Sequence, residues 1–278
     1  MFVFKTVVII SILLILVFIS SQFSWLNYTS TTSKDVFTKA DTKKKLVELE
    51  KLKDLPEPVL KYFNLVLKNK CDVINTAYIS QEGKFKMDEN SDKFFNTEAQ
   101  QFFSNKPRAF TWHAKIYIDP GIYINVFDSY VDSRAALKAK FLSLYTLVDE
   151  KDKKELNEGA LQRYLAEALW YPTALLPCES LKWSAIDSNT ALATISDADT
   201  NTSLEFRFND KGEITSIYTP KRYREKDGTY IATPWLCEVS NYIDKDGYLI
   251  PEKGKVSWIL DKNKFTYYEL KIKDVKYN

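Results

Sequence analysis

Arg163 and Glu167 stand four residues apart in the stretch LQRYLAEALWYPTALLP, residues 161–177. On a helix that spacing puts both side chains on one face, where they can pair. Trp170 extends the same face. A second carboxylate, Asp128, would complete the minimum for hydrolase-type proton transfer. That chemistry needs two carboxyls roughly 5–9.5 Å apart, one with a raised pKa. Arg222 and Arg224 alternate with Lys221 and Tyr223, so they point to one side of a strand and can grip a carboxylate or phosphate. With Trp112 and Trp235 as aromatic walls, the candidate ligand-binding set is Arg163, Glu167, Trp170, Trp112, Asp128, Arg222 and Trp235. Each residue also has a plainer reading. The helix plugs one side of a curved sheet with Trp170 as a core anchor. Asp128 and Asp132 are solvated acids at a strand end. Arg222 and Arg224 are charges on an edge strand, which block sheet aggregation.

Other chemistries find little support. The single histidine, His113, lies in TWHAKIYI, where alternation sets Trp112, Ala114 and Ile116 on one face. His113 falls on the other face with Lys115 and Tyr117, and reads as an exposed strand histidine. Cys71, Cys178 and Cys237 form no CxxC, and one must stay unpaired within the chain; Cys178 and Cys237 both follow Trp/Pro-rich turns and are the pair considered for a disulfide outside the cytoplasm. No GxSxG, P-loop, HExxH or GxGxxG occurs, and seven glycines leave no Gly-rich phosphate cradle. No metal site and no cofactor are expected. The 39 basic and 37 acidic residues give a net charge of +2, which carries no footprint for nucleic acid.

The elements that must position these residues read mostly as β-strand. Of 278 residues, 17 are Tyr, 17 Phe and 6 Trp, and aromatics suit a pleated face. Period-two alternation marks strands at 73–87 (interrupted at Gly83), 108–118, 124–130 and 135–148, with 94–103 undecided. The helix containing Arg163 follows, starting near Glu158 with Asn157 as cap and ending before Pro172. Beyond Pro177, short strands are expected at 181–186, 190–196, 203–208, 213–219, 222–226, 229–233, 238–243, 248–250, 255–260 and 265–275. Asp227-Gly228 is a hairpin signal. This spacing predicts an α+β fold, mostly antiparallel β: a curved sheet or half-open barrel with a few helices packed on it, preceded by an N-terminal transmembrane helix.

The N-terminus supplies that helix. Lys5 precedes an apolar run over residues 7–19 that only Ser11 interrupts. A span needs about 20 residues, so 7–26 suffices only if Ser20, Ser21 and Gln22 are tolerated near one end. Trp25 and Tyr28 would then be interfacial anchors, with Lys5 on the cytoplasmic side. The competing reading is a signal segment cleaved near Ile19-Ser20-Ser21. Three segments follow: 1–26, a transmembrane anchor or signal; 27–54, a polar linker (27–34) and a charged helix (35–52); and 55–278, a single extracytoplasmic β-rich domain. A helix over 57–68 opens that domain, with Pro58 in its first turn. The expected location is the cell membrane, single-pass, with the domain on the extracytoplasmic side.

Several strings resemble an uncharacterised bacterial family, a domain of unknown function. They include LPEPVLKYF at 55–63, QEGKF at 81–85, FTWHA at 110–114, and above all RYLAE at 163–167 with Trp170 and PTALLP at 172–177. Trp183, Arg222, Pro234-Trp235, Tyr242, Ile250-Pro251 and Val256-Ser257-Trp258 continue the series to about Val275. Lys61 departs from the family's Arg, and His113 falls at a variable position. The resemblance implies N-terminal membrane segments and no assigned chemistry. The strand succession with an inserted helix is also similar in architecture to the half-open barrels of periplasmic lipoprotein carriers. Three functions stay open: a membrane-tethered binding module for an apolar or lipid-like ligand, with an apolar cavity; an envelope structural or interaction protein without a small ligand; and a hydrolase-type enzyme using Arg163 and Glu167.

Overall fold

A computed structural model describes residues 2–67, 72–261 and 263–278. After a long first helix, α1 (Phe2–Thr38), and a short second one, α2 (Glu57–Val66), the chain enters six strands. These are β1 (Thr76–Phe85), β2 (Phe95–Ser104), β3 (Ala109–Asp119), β4 (Ile122–Val131), β5 (Arg134–Phe141) and β6 (Tyr145–Lys151). Helix α3 (Lys154–Glu167) runs on through 3-10 turns at Ala168–Trp170 and Pro172–Leu175. Seven strands complete the chain: β7 (Leu181–Asp187), β8 (Thr190–Asp197), β9 (Thr200–Phe208), β10 (Ile214–Lys226), β11 (Thr229–Lys245), β12 (Tyr248–Ile259) and β13 (Lys264–Tyr277).

Sequence neighbours pair antiparallel, and β1 pairs with β13, giving one sheet ordered β6-β5-β4-β3-β2-β1-β13-β12-β11-β10-β9-β8-β7. Its two edges, β6 and β7, do not join, so the curved sheet stays open, as expected. Turn chemistry fixes much of the register. Asp227-Gly228 and Asp246-Gly247 all have positive φ, as type I′ hairpins require. The expected short strands 213–219 and 222–226 are one strand, β10, with a bulge after Thr219. Likewise β11 and β12 continue through Pro234 and Pro251, which sequence reading takes as breaks. Pro251 lies outside the stretch of β12 that pairs with β13, where a missing N–H is tolerated. Conversely, 135–148 is two strands: Leu142 and Ser143 adopt positive φ and turn the chain.

Gly83 does not interrupt β1. It pairs with Thr97 on one side and Leu270 on the other. A Cβ there would meet the Glu269 carbonyl oxygen at 2.4 Å, so the strands approach more closely than a side chain allows.

Helix α3 connects the two edges and crosses the concave face against β4, β5, β8, β9 and β10. Both of its sides are therefore buried, including Leu161, Gln162, Tyr164, Leu165 and Ala166. It begins earlier than expected, at Lys154. Asn157 is not its cap: its side chain accepts from the Ala135 N–H and donates to Asp152. Helix α2 presents Val59, Tyr62, Phe63 and Val66 to the core, with Pro58 in its first turn; Lys68, its last expected residue, lies outside the described residues.

The N-terminal expectations change most. Residues 27–34 are not a linker, and of the helix expected over 35–52 only 35–38 is α-helical, as the end of α1. Helix α1 runs unbroken to Thr38, and only a 3-10 turn follows at Leu49–Leu52. No Pro or Gly interrupts it. Thr29, Ser30 and Thr32 donate their hydroxyls to carbonyls three or four residues back, so the polar stretch satisfies itself within the helix. Trp25, Thr29, Ser33 and Val36 form one buried stripe against the outer face of β2 and β3. Phe2–Ile19 is exposed and apolar, long enough to cross a membrane.

Candidate functional site

Strand alternation aims Trp112 and Phe110 of β3, Asp128 of β4, Gln81 of β1 and Gln101 of β2 at the concave side. Helix α3 brings Arg163 and Glu167 down onto them. Arg163 Nε donates to Glu167 Oε1 at 2.9 Å, and its Nη1 donates to Asp128 Oδ2 at 2.7 Å. Its guanidinium lies 4.7 Å from the Trp112 ring and 5.3 Å from Phe110. Gln101 Nε2 donates to the other Glu167 oxygen at 2.6 Å. Gln81 extends the network, donating to Gln101 and accepting from Trp112 Nε1 and the Tyr268 hydroxyl. Side-chain exposures of Arg163, Asp128 and Glu167 are 17%, 19% and 15%. Burial pushes the Glu167 carboxyl up, against the opposing pull of Arg163 and Gln101. Arg163 stays a cation beside its two carboxylates, despite the burial that opposes its charge.

One turn back along α3, Gly159 and Gln162 receive Arg222. Its Nη1 donates to the Gly159 carbonyl at 2.5 Å and to Gln162 Oε1 at 3.4 Å, and its guanidinium lies 5.2 Å from the Trp235 ring. Trp235 Nε1 in turn donates to the Tyr267 hydroxyl. No carboxylate comes within ion-pair distance of Arg222 among the described residues; desolvation works against its charge, while Asp128 and Glu167 attract it from farther off. Gly159 has no Cβ there, and one added would sit 3.8 Å from the guanidinium. Arg224 differs: it pairs with Glu89 at 2.7 Å, beside Lys226. Both arginines lie beyond Tyr218, where the pairing of β10 with β9 ends, so this stretch of β10 is bonded to β11 alone and is locally an edge, as read.

Arg222 and Asp128 both line an open cavity of about 940 Å³ at the side of the half-barrel. Phe85, Leu137, Leu156 and Trp258 contribute apolar wall, while Lys86, Glu89 and Arg224 form part of a charged rim. This lining is mixed, not the apolar cavity with few polar groups that the binding reading expects.

The structure therefore brings Arg163, Glu167, Asp128 and Trp112 into one cluster and Arg222 and Trp235 into a second beside it. Trp170 belongs to neither. It is buried at the far end of the helical segment and donates to the Pro251 carbonyl, as a core anchor does. Asp128 is not a solvated acid, and Asp132 does not join it: Asp132 lies in the β4–β5 turn and pairs with Lys39. His113 is not exposed. Trp25 Nε1 of α1 donates to its Nε2 at 3.0 Å, and burial pushes its pKa down to about 4. Trp25 is accordingly covered by protein, not free to serve as an interfacial anchor. Cys178 and Cys237 are unpaired, one exposed and the other buried, and Cys71 lies outside the described residues. Sequence reading missed Gln81, Gln101, Tyr267 and Tyr268. Gln81 and Gln101 carried a usable signal: each shares strand parity with inward apolar residues, Ala77 and Ile79 or Ala99 and Phe103. Among the described residues, no three His, Cys, Asp or Glu side chains gather into a set able to hold a metal ion.

An open, all-antiparallel sheet wrapped around an inserted helix, with a charged cluster under that helix, defines the class of this protein. The chain belongs to a family of unknown function, DUF6920, whose model matches residues 53–277. A solved structure, a LolA superfamily protein from Nitrosomonas europaea, is similar over 80% of this chain and 93% of that one, at 8% identity and a TM-score of 0.35. No curated protein matches.

Proposed function

We propose that the chain is a membrane-tethered, extracytoplasmic binding module for a lipid-like ligand, held at the side cavity of the half-barrel. The observation that carries this reading is Arg222. It is a guanidinium without a carboxylate partner among the described residues, stacked on Trp235, beside apolar walls. A half-buried cation whose hydrogen-bond partners are all neutral is costly unless something supplies the counter-charge. An amphiphile with a compact anionic head does so, its chain lying against Phe85, Leu137, Leu156 and Trp258. Helix α1, exposed and apolar over residues 2–19, supplies the tether, with Lys5 on the cytoplasmic side.

The test is a matched pair of ligands on the full chain in lipid nanodiscs. Dodecanoate and dodecanol compete for a fluorescent fatty-acid probe. Arg222→Gln is expected to weaken dodecanoate binding about 10- to 100-fold, the range for losing a charge-assisted hydrogen bond, and to leave dodecanol unchanged. Failure of the unaltered chain to bind either would favour an envelope interaction protein without a small ligand.

The raised Glu167 carboxyl beside Asp128 motivates the hydrolase alternative. Both Glu167 oxygens are already engaged, by Arg163 and Gln101, and Glu167 does not line the cavity. We therefore read the cluster as a brace that fixes α3 on the sheet beneath Arg222.

A further inference from the structure

Gln22 is the residue that makes the apolar N-terminal helix an awkward membrane span. Its amide is satisfied by the folded domain. Gln22 Nε2 donates to the Leu142 carbonyl at 2.6 Å, and Gln22 Oε1 accepts from the hydroxyls of Tyr123 at 2.9 Å and Ser143 at 3.0 Å. Asn125 donates to the Ser143 hydroxyl and fixes it in place. The β5–β6 turn and the start of β4 are thus tied to α1 three residues past Ile19, or about 4.5 Å along the helix. A span of about 20 residues framed as 7–26 puts Gln22 about 6 Å inside the hydrocarbon boundary. A span framed as 2–19 puts it about 4.5 Å outside. In either frame the turn stands at the bilayer interface.

The side chains around this tie are those an interface takes. Ile122, Phe141, Leu144 and Tyr145 are exposed at 38%, 37%, 42% and 69%. All four lie within four residues of Tyr123, Leu142 or Ser143, the groups that hold Gln22. Trp25, the expected interfacial aromatic, is instead buried on His113. Phe141 and Tyr145 stand where an aromatic belt belongs. One cation flanks the contact and is suited to a lipid phosphate: Lys115, over the Tyr123 ring at 4.3 Å; Lys138, over Tyr28 at 5.0 Å, is already paired with Asp149 at 3.0 Å.

We propose that the β5–β6 turn with Ile122 is a membrane foot, which inserts Phe141, Leu144 and Tyr145 into the leaflet from which α1 emerges. The occupant of this patch is the phospholipid interface itself. The inference rests on the reading of α1 as a retained membrane span, and adds that the domain lies against the bilayer in one orientation.

The test uses the full chain in phospholipid vesicles containing a lipid with a photoreactive diazirine in its acyl chain. After illumination and trypsin digestion, adducts are mapped by mass spectrometry. The expected result is label on α1 and on the peptide 141–151. Peptides carrying Ile186 and Ile231, equally exposed apolar residues remote from α1, should stay unlabelled. Leu144→Asp with Tyr145→Asp should lower labelling of 141–151 at least fivefold while circular dichroism is preserved. Label on α1 with 141–151 no richer than the Ile186 and Ile231 peptides overturns the foot and leaves the span intact. Absence of label from α1 as well overturns the span, and the foot with it.

Discussion

Arg163 is held from four directions: by two carboxylates, by Trp112 and by Phe110. Removing one member of such a buried set strands its partners in a low-dielectric site. Arg163→Leu leaves Asp128 and Glu167 facing each other without a cation. It is expected to cost about 3–5 kcal/mol, read as a lower urea midpoint at unchanged slope. Arg163→Leu combined with Asp128→Asn and Glu167→Gln should recover much of that loss, because no buried charge then remains unpaired. An additive triple variant would mean the three residues do not act as a unit. Arg222 is a contrasting case at this scale: its partners are neutral, so Arg222→Gln is expected to change ligand affinity more than stability.

The behaviour of the strands depends on close approach as much as on alternation. Gly83 allows β1 to lie against Glu269 of β13, joining the N-terminal and C-terminal halves of the sheet. Because a Cβ would strike backbone there, the strands must part to admit one. Gly83→Ala is expected to destabilise by about 1–3 kcal/mol, the range for overpacking. Hydrogen exchange should rise first in β1 and β13; protection equal to the parent's would show that the pair can shift without cost. Alternation itself was legible in β3, where Trp112, Ala114 and Ile116 face inward as read. The lengths of β10, β11 and β12 were not, because a Pro ends a strand only where its missing N–H faces a neighbour. That depends on which strands lie on either side.

At the scale of the molecule, α1 is both a candidate membrane span and a layer packed on the sheet. His113 joins the two through Trp25. With a folded pKa of about 4 against an ordinary 6.5, the unfolded chain binds more protons between those values. The stability this contact contributes is therefore complete above about pH 6.5 and falls as the pH drops through 4. Protonation would set a cation beside Lys115 and remove the acceptor that Trp25 uses. Opening free energies from hydrogen exchange of residues 22–38 should fall between pH 7 and pH 4, and His113→Asn should flatten that dependence. A parent chain with pH-independent opening in this helix would refute the link.

The sequence alone determined the class of fold, the inserted helix and the pairing of Arg163 with Glu167. These follow from local rules: period two, period 3.6, turn chemistry and i,i+4 spacing. It also carried the resemblance to the family whose model matches residues 53–277. Only the tertiary structure decided that 27–38 continues α1, that Asp128 comes to Arg163 and Asp132 does not, and that Arg222 has no carboxylate partner among the described residues. Two physical reasons account for these. Small polar residues such as Thr29 and Ser33 give no apolar stripe, yet they pack closely once a sheet lies against them. A charge is paired or unpaired only by what long-range folding places opposite it.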